Sequence, residues 1–306
     1  MPAEPGFLPR KIVLDEADWS FQENAKGNRP KKYCSLRGGS VEGLADATGW
    51  FWKGVDDKYP HEFWSEILAC RLGAEMGVPV PRTHLGIYEE MAGSLAESLL
   101  APGEELVEAA DIMAGLDEAY ERRGKGERQT VVLCRRAMAT VLGDADPGAF
   151  HRMLVFDAWI GNQDRHHENW GFAKNSDGHW RFADIFDNGS SLLREMSSDE
   201  SLRRKVGTPF LREGYIARSS SEIRWEAGRK IPHLDLFRLC ADSEPGFRET
   251  AASMLASSME EVERAVHEIA VFARDSGVEP GISPMREGIL LDVLAERRAR
   301  LLERLT

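Results

Sequence analysis

Asp164 and Asn169 stand five residues apart, and Asp187 follows beside Asn188 and Gly189; this spacing can carry out phosphoryl transfer. An Asp in the first position can orient a hydroxyl and take its proton. The Asn and the second Asp can supply oxygen ligands for magnesium ions that neutralise phosphates. Such chemistry also needs a cation on the α- and β-phosphates. Lys53, within the aromatic run Gly49-Trp50-Phe51-Trp52-Lys53-Gly54-Val55, is the candidate. A glutamate on the following helix would hold that ammonium in place; Glu66 is the expected partner, with Glu62 one turn earlier as its rival. His151, His166 and His167 have none of the helical or knuckle spacings that zinc sites use. Arg165 or His166 would steady the loop or the phosphates, and the spacing does not choose between them.

The elements around these residues must bring them together. Residues 170–174 and 180–186 alternate large apolar groups, as strands do, and Asn175-Ser176-Asp177-Gly178 between them is a turn signal. A hairpin centred on Gly178 would set Asn169 opposite Asp187 and leave Asp164 in the loop just before it. Residues 150–160 read as a largely buried helix stopped by Gly161, giving that loop a rigid base. Residues 62–73 read as a helix opened by Asp56, Asp57 and Pro60, and 32–36 and 82–88 as further strands. Helices are expected over 104–114, 127–142, 148–160, 245–256, 258–274 and 285–304. The last carries Leu290, Leu291, Val293, Leu294, Leu301 and Leu302 at helical spacing, a packing stripe. Residues 1–30 are expected to be a loosely packed lead-in. Residues 194–225, rich in Ser, Arg and Glu, are expected to form a mobile loop, with Ser219-Ser220-Ser221 a candidate autophosphorylation site.

On these residues the chain resembles the HipA-like branch of the protein-kinase superfamily. The family's C-lobe motif is similar to Gly161-Asn162-x-Asp164-x-His166-x-x-Asn169, and its magnesium-binding Asp corresponds to Asp187. Residues 65–81 resemble its first helix and the turn after it. Residues 94–106 resemble its inter-lobe connection, where the main chain at Ser98, Leu99 and Leu100 would hold adenine. The likeness spans about residues 30–195. It implies an α+β, two-lobed kinase-like fold, with a small β-rich N-lobe over 1–100 and a larger, mostly helical C-lobe over 101–306. It further implies ATP and Mg2+ as cofactors and transfer of the γ-phosphoryl group to a Ser or Thr of a protein, with autophosphorylation. The implied partners are that protein substrate and an antitoxin-like or regulatory protein.

Phosphoinositide kinases carry a similar Asp-Arg-His-x-x-Asn string. A small-molecule or lipid kinase, a nucleotide-binding pseudokinase and an AMP-transferring enzyme therefore stay open as alternatives. The sequence departs from the family pattern in three ways. It is expected to be a short stand-alone form without an additional N-terminal subdomain. Asn188 stands where most protein kinases place Phe. No clear Gly-x-Gly-x-x-Gly precedes Lys53. The nearest candidate is Arg37-Gly38-Gly39-Ser40-Val41-Glu42-Gly43, where the amides of Gly38, Gly39 and Ser40 could approach phosphates and an ordinary hairpin loop is the alternative.

Composition narrows the field further. Lys and Arg total 39 against 51 Asp and Glu, a formal net charge of −12 over 306 residues, which argues against a broad nucleic-acid or anionic-membrane surface. Arg203, Arg204 and Lys205 make one short basic cluster, either solvated surface or a substrate contact. Cys34, Cys70, Cys134 and Cys240 lack the pairing of a disulfide framework or zinc cage. No apolar run approaches a membrane span, and residues 1–6 lack a signal-peptide pattern, so a cytoplasmic protein is expected.

Overall fold

The computed structural model describes residues 2–23, 30–37, 44, 49–143, 146 and 148–306. Period-two alternation builds the first third into strands β1 (Lys11–Leu14), β2 (Trp19–Glu23), β3 (Lys31–Leu36) and β4 (Trp50–Gly54). Helix α1 (Glu62–Glu75) follows, then β5 (Thr83–Tyr88) and β6 (Met91–Glu97). These six strands form one sheet in the order β1-β5-β6-β4-β3-β2, in which only the β1–β5 pair is parallel. Glu89 and Glu90 close the β5–β6 hairpin with φ of 47° and 65°, the left-handed pair that a two-residue hairpin loop demands. On β4 the alternation sends Trp50 and Trp52 into an aromatic core with Trp19, Cys34, Tyr88 and Leu95. Phe51 and Lys53 are left on the opposite face.

The rest of the chain is mostly helical. After β7 (Glu104–Glu108) come α2 (Ala109–Leu116), α3 (Val131–Leu142) and α4 (Gly148–Ile160), then the hairpin β8 (Gly171–Asn175) and β9 (Trp180–Phe182). Next are α5 (Asp199–Val206), α6 (Pro209–Arg218), β10 (Ser220–Ser221) and β11 (Ile231–Pro232). The chain continues with α7 (His233–Ser243), α8 (Phe247–Leu255), α9 (Met259–Asp275) and α10 (Pro284–Glu303). The fold is thus α+β. α4 is buried on nearly every side and packs against α7, α8 and α10, burying Phe150, Met153, Phe156 and Trp159. α1 is equally buried and lies between the six-stranded sheet and α9, with Trp64 Nε1 donating to the Pro280 carbonyl at 2.7 Å. Gly161 ends α4 at φ 72°, and a side chain there would meet the buried Arg297 guanidinium. Among the described residues no helix is long and apolar enough to cross a membrane, and all four cysteines are free and buried.

Several local expectations are corrected. The N-terminal lead-in contributes β1 and β2 to the sheet, because Ile12, Leu14 and Trp19 are buried there. Residues 104–108 form β7 instead of a helix, since pairing with β8 overrides the helix propensity of Glu-Glu-Leu-Val-Glu. The segment 194–225 holds α5 and α6, capped by Ser198 and Thr208, and is not a loop. Ser219 and Ser221 are buried, with Ser219 Oγ hydrogen-bonded to His233, and Ser220 between them is half-buried. The hairpin turns through three residues, 176–178, with Gly178 left-handed at φ 83° and Asn175 N donating to His179 O. Its register, Phe172↔Phe182 and Lys174↔Trp180, is therefore centred on residue 177 and would set Asn169 opposite Ile185, not Asp187.

Candidate active site

Lys53 meets Asp187 across the whole fold. Its Nζ lies 2.7 Å from Asp187 Oδ1 and 3.2 Å from Glu62 Oε1. The expected Glu66 partner is thus replaced by its rival one turn earlier. Glu66 instead accepts a hydrogen bond from Asn188 N at 3.0 Å, and its second oxygen is buried with no hydrogen-bond partner among the described residues. Burial, with the Asp187 charge adding to it, pushes the Glu66 carboxyl up to about 7, while Lys53 pulls the other way. Burial works against the Lys53 charge too, but Asp187, Glu66 and Glu62 outweigh it and hold the ammonium above the ordinary lysine range. For Asp187 burial likewise favours the neutral form, and the Lys53 ammonium overrides it, keeping the carboxyl far below the usual range. Asp187 also adopts φ 55°, a left-handed conformation uncommon outside glycine and tolerated best by Asn and Asp.

The strand under Lys53 has no room for a side chain on its neighbour. Gly93 pairs with Gly54, and a Cβ on Gly93 would lie 2.3 Å from the Lys53 carbonyl oxygen. Gly93→Ala is expected to force β4 and β6 apart and cost about 1–3 kcal/mol, measurable as a lower denaturation midpoint.

The loop after α4 is organised by one buried arginine. Arg165 Nε and Nη2 each lie 2.9 Å from a carboxylate oxygen of Asp157, on α4. Arg165 Nη1 donates to the carbonyls of Asn169, at 2.7 Å, and Phe186, and Nη2 donates to Asn188 Oδ1. Arg165 therefore ties together the backbone beside Asn169 and Asp187, the task that the hairpin register was expected to perform. The Asn188 side chain is fully engaged, accepting from Arg165 and donating to the Ile185 carbonyl at 2.9 Å. That accounts for a buried polar residue where a Phe was the family expectation. His166 and His167 diverge: His166 lines the cavity described below, whereas His167 Nδ1 is hydrogen-bonded to Tyr120 OH at 2.5 Å.

Asp164 sits in this loop with its main chain pinned. Its N donates to Asn162 Oδ1 at 3.1 Å, and its carbonyl accepts from Asn169 Nδ2 at 2.8 Å. The Asn169 amide nitrogen is thereby used, and Oδ1 makes no hydrogen bond among the described residues. Burial raises the Asp164 carboxyl above the ordinary carboxylate range, with the Asp187 charge adding to it against the pull of His166.

A cavity of about 530 Å³ joins these groups. Its lining includes the charged and polar residues Lys53, Glu66, His166, Asn169 and Asp187 together with Val80, Ala96, Ser98, Leu99, Leu100 and Leu106. Asp164 is not among the lining residues. The main chain at 98–100 is partly committed. Ser98 N donates to the Gly49 carbonyl, Leu100 N to Ser98 Oγ, and the Leu99 carbonyl accepts from Arg181 Nη2 at 2.6 Å. The expected phosphate contacts at Gly38, Gly39 and Ser40 lie outside the described residues.

Sequence reasoning missed Asp157 and Arg194 as contributors, and it named Asn162 within the motif without its buried partner. Asp157 did leave a signal, since a carboxylate inside the apolar run 153–160 must find a buried partner. Asn162 is joined to a buried histidine behind the loop: its carbonyl lies 2.8 Å from His233 Nε2, while Nδ1 faces Ser219 Oγ at 3.0 Å. Burial, reinforced by the Arg297 charge, lowers the His233 imidazole to about 3. A depressed histidine contributes stability that is complete above its unfolded value near 6.5 and is lost as pH falls toward 3. His233→Asn is expected to flatten the fall in melting temperature over that window, read by thermal unfolding at stepped pH.

Comparison with known proteins adds independent findings. The model of the HipA-like C-terminal domain family matches residues 24–270. Serine/threonine-protein kinase CtkA of Helicobacter pylori is 29% identical over 153 residues, which cover 48% of this chain and 45% of that protein. The chain thus spans about half the length of the curated relative it matches. The crystal structure of a Helicobacter pylori proinflammatory kinase CtkA superposes with a TM-score of 0.75 over 97% of both chains, at 18% identity, a likeness of fold. HipA from a Shewanella oneidensis toxin–antitoxin complex with HipB and operator DNA gives a TM-score of 0.48 at 12% identity, over 92% of this chain and 64% of that one.

Proposed function

We propose that this chain, which belongs to the HipA-like C-terminal domain family, is an ATP-dependent kinase that phosphorylates Ser or Thr hydroxyls of a protein. One observation carries the reading: Lys53, Asn169 and Asp187, drawn from distant parts of the sequence, line a single cavity beside the Asp164 loop. The name of the relative CtkA supports a Ser/Thr acceptor. The donor set suits magnesium. Asp187 is held ionised, Asn169 presents an amide oxygen, and Mg2+ is usually bound by one or two such protein oxygens with phosphates and water completing its shell. The cavity lies within the size range of small-molecule sites, and its lining supplies both apolar side chains for a base and charged ones for phosphates.

Bound ATP and Mg2+ would supply the phosphoryl group and the positive charge that neutralises it. Asp164 would orient the acceptor hydroxyl and accept its proton as the new P–O bond forms and the bond to ADP breaks. Lys53 would hold the α/β-phosphates, steadied by Glu62. Asn169 and Asp187 would hold the metal. The main chain at 98–100 would meet the adenine, with residues 1–100 and 101–306 acting as the two lobes on either side. Intact-mass analysis after incubation with ATP, Mg2+ and an acceptor protein tests the reading, with Asp187→Ala as control. A gain of about 80 Da per phosphoryl group on either protein, absent in the variant, is expected. A gain of the size of an adenylyl group would mean AMP transfer, and no ATP binding at all would overturn the assignment.

A further inference from the structure

Glu62 spends both carboxylate oxygens on cations: Oε1 lies 3.2 Å from Lys53 Nζ, and Oε2 pairs with Arg194 Nη1. The Arg194 guanidinium also stacks 4.1 Å from the centre of the Tyr59 ring. The Tyr59 carbonyl accepts from Glu62 N at 3.0 Å, so the two groups that Arg194 grips are already joined at the start of α1. That start is weakly made from within, because His61 at the N-cap provides no side-chain capping bond. The first turn of α1, which carries the carboxylate on Lys53, is thus fastened from outside its own helix.

Arg194 is itself held firmly. Leu192 and Leu193, just before it, are buried with φ of 51° and 64°. Two successive bulky residues in the left-handed region persist only where their surroundings over-determine them. Here the buried Arg286 on α10 donates to the carbonyls of Leu193 and Met196. Arg194 N in turn donates to the Ser191 carbonyl at 3.0 Å.

Resting on the kinase reading above, we propose that Arg194 is a positioning residue that acts through Glu62 on the phosphate-gripping Lys53. Among the described residues Asp187 and Glu62 form ion pairs with Lys53, and Asp187 is a proposed metal ligand. When Asp187 turns to the metal, Glu62 keeps its ion pair to the ammonium, and Arg194 sets where Glu62 points.

The test is calorimetric titration of the full chain with a non-hydrolysable ATP analogue and Mg2+, alongside melting temperatures. The wild type is compared with Arg194→Ala, Arg194→Lys, Glu62→Gln and the Glu62→Gln/Arg194→Ala double variant. Arg194→Ala is expected to weaken nucleotide affinity roughly tenfold or more, as loss of an outer partner of a site residue does. Arg194→Lys, which keeps the charge, should recover most of it. The double variant should bind no worse than Glu62→Gln alone, because the two residues act as one unit. Unchanged affinity in Arg194→Ala, or additive losses in the double variant, would overturn the proposal while leaving the kinase reading intact. A wild type that binds no nucleotide would overturn that reading itself.

Discussion

Asp164→Asn is expected to yield a folded protein that binds ATP and Mg2+ yet transfers phosphate roughly 10²–10⁴-fold more slowly, the range for loss of a general base. The fold should survive because the structural bonds of Asp164 run through its main chain, to Asn162, His166 and Asn169. Among the described residues its carboxylate makes one hydrogen-bond contact, a long one of 3.5 Å with Ser190 Oγ. An amide of the same shape keeps all of these and removes only the capacity to take a proton. The measurement is the rate of phosphate incorporation at saturating ATP, with nucleotide affinity measured in parallel. Wild-type turnover in this variant would mean that the acceptor hydroxyl is handled elsewhere.

The largest effect on stability is expected at Arg165, which is 1% exposed. Arg165→Met keeps the length and loses the charge. It would strand the Asp157 carboxylate in the interior along with the Asn169 and Phe186 carbonyls and Asn188 Oδ1. Removing one partner of a buried ion pair costs about 3–5 kcal/mol, mostly the penalty of the uncompensated charge left behind. The denaturation midpoint should fall accordingly. Adding Asp157→Leu should restore part of the loss, since a buried pair replaced by apolar groups is often close to neutral. If the double variant were less stable than Arg165→Met, the charge on Asp157 would not be what makes the single change costly. Activity should not return with stability, because Arg165 also sets the backbone beside Asn169 and Asp187.

Much of the site was legible because its signals are local. A largely apolar run closed by Gly161 reads as α4, and the alternation around Lys53 reads as β4. The Asn-Ser-Asp-Gly turn marks the β8–β9 hairpin, though not its register. One left-handed glycine closing a three-residue loop moved the hairpin's centre by one residue and each pairing by two, so Arg165, not the ladder, brings Asn169 and Asp187 into place. Helix propensity misled at 104–108, where a neighbouring strand was available to pair. Composition misled at 194–225, where capped helices carry the Ser and Arg residues of an expected loop.

The sequence by itself determined which groups could do chemistry and the order helix, loop, hairpin that presents them. Those choices rest on backbone and turn preferences acting over a few residues. Only the tertiary structure decided which charges meet: Lys53 with Asp187 across 134 positions, Glu62 with Arg194 across 132, and Glu66 with the Asn188 amide across 122. Glu62 and Glu66 lie one turn apart on α1, and local preference does not distinguish them. The reach of the Lys53 side chain to that helix does, because a buried charge takes the opposite charge that packing brings within contact, where the low dielectric makes the pairing strong.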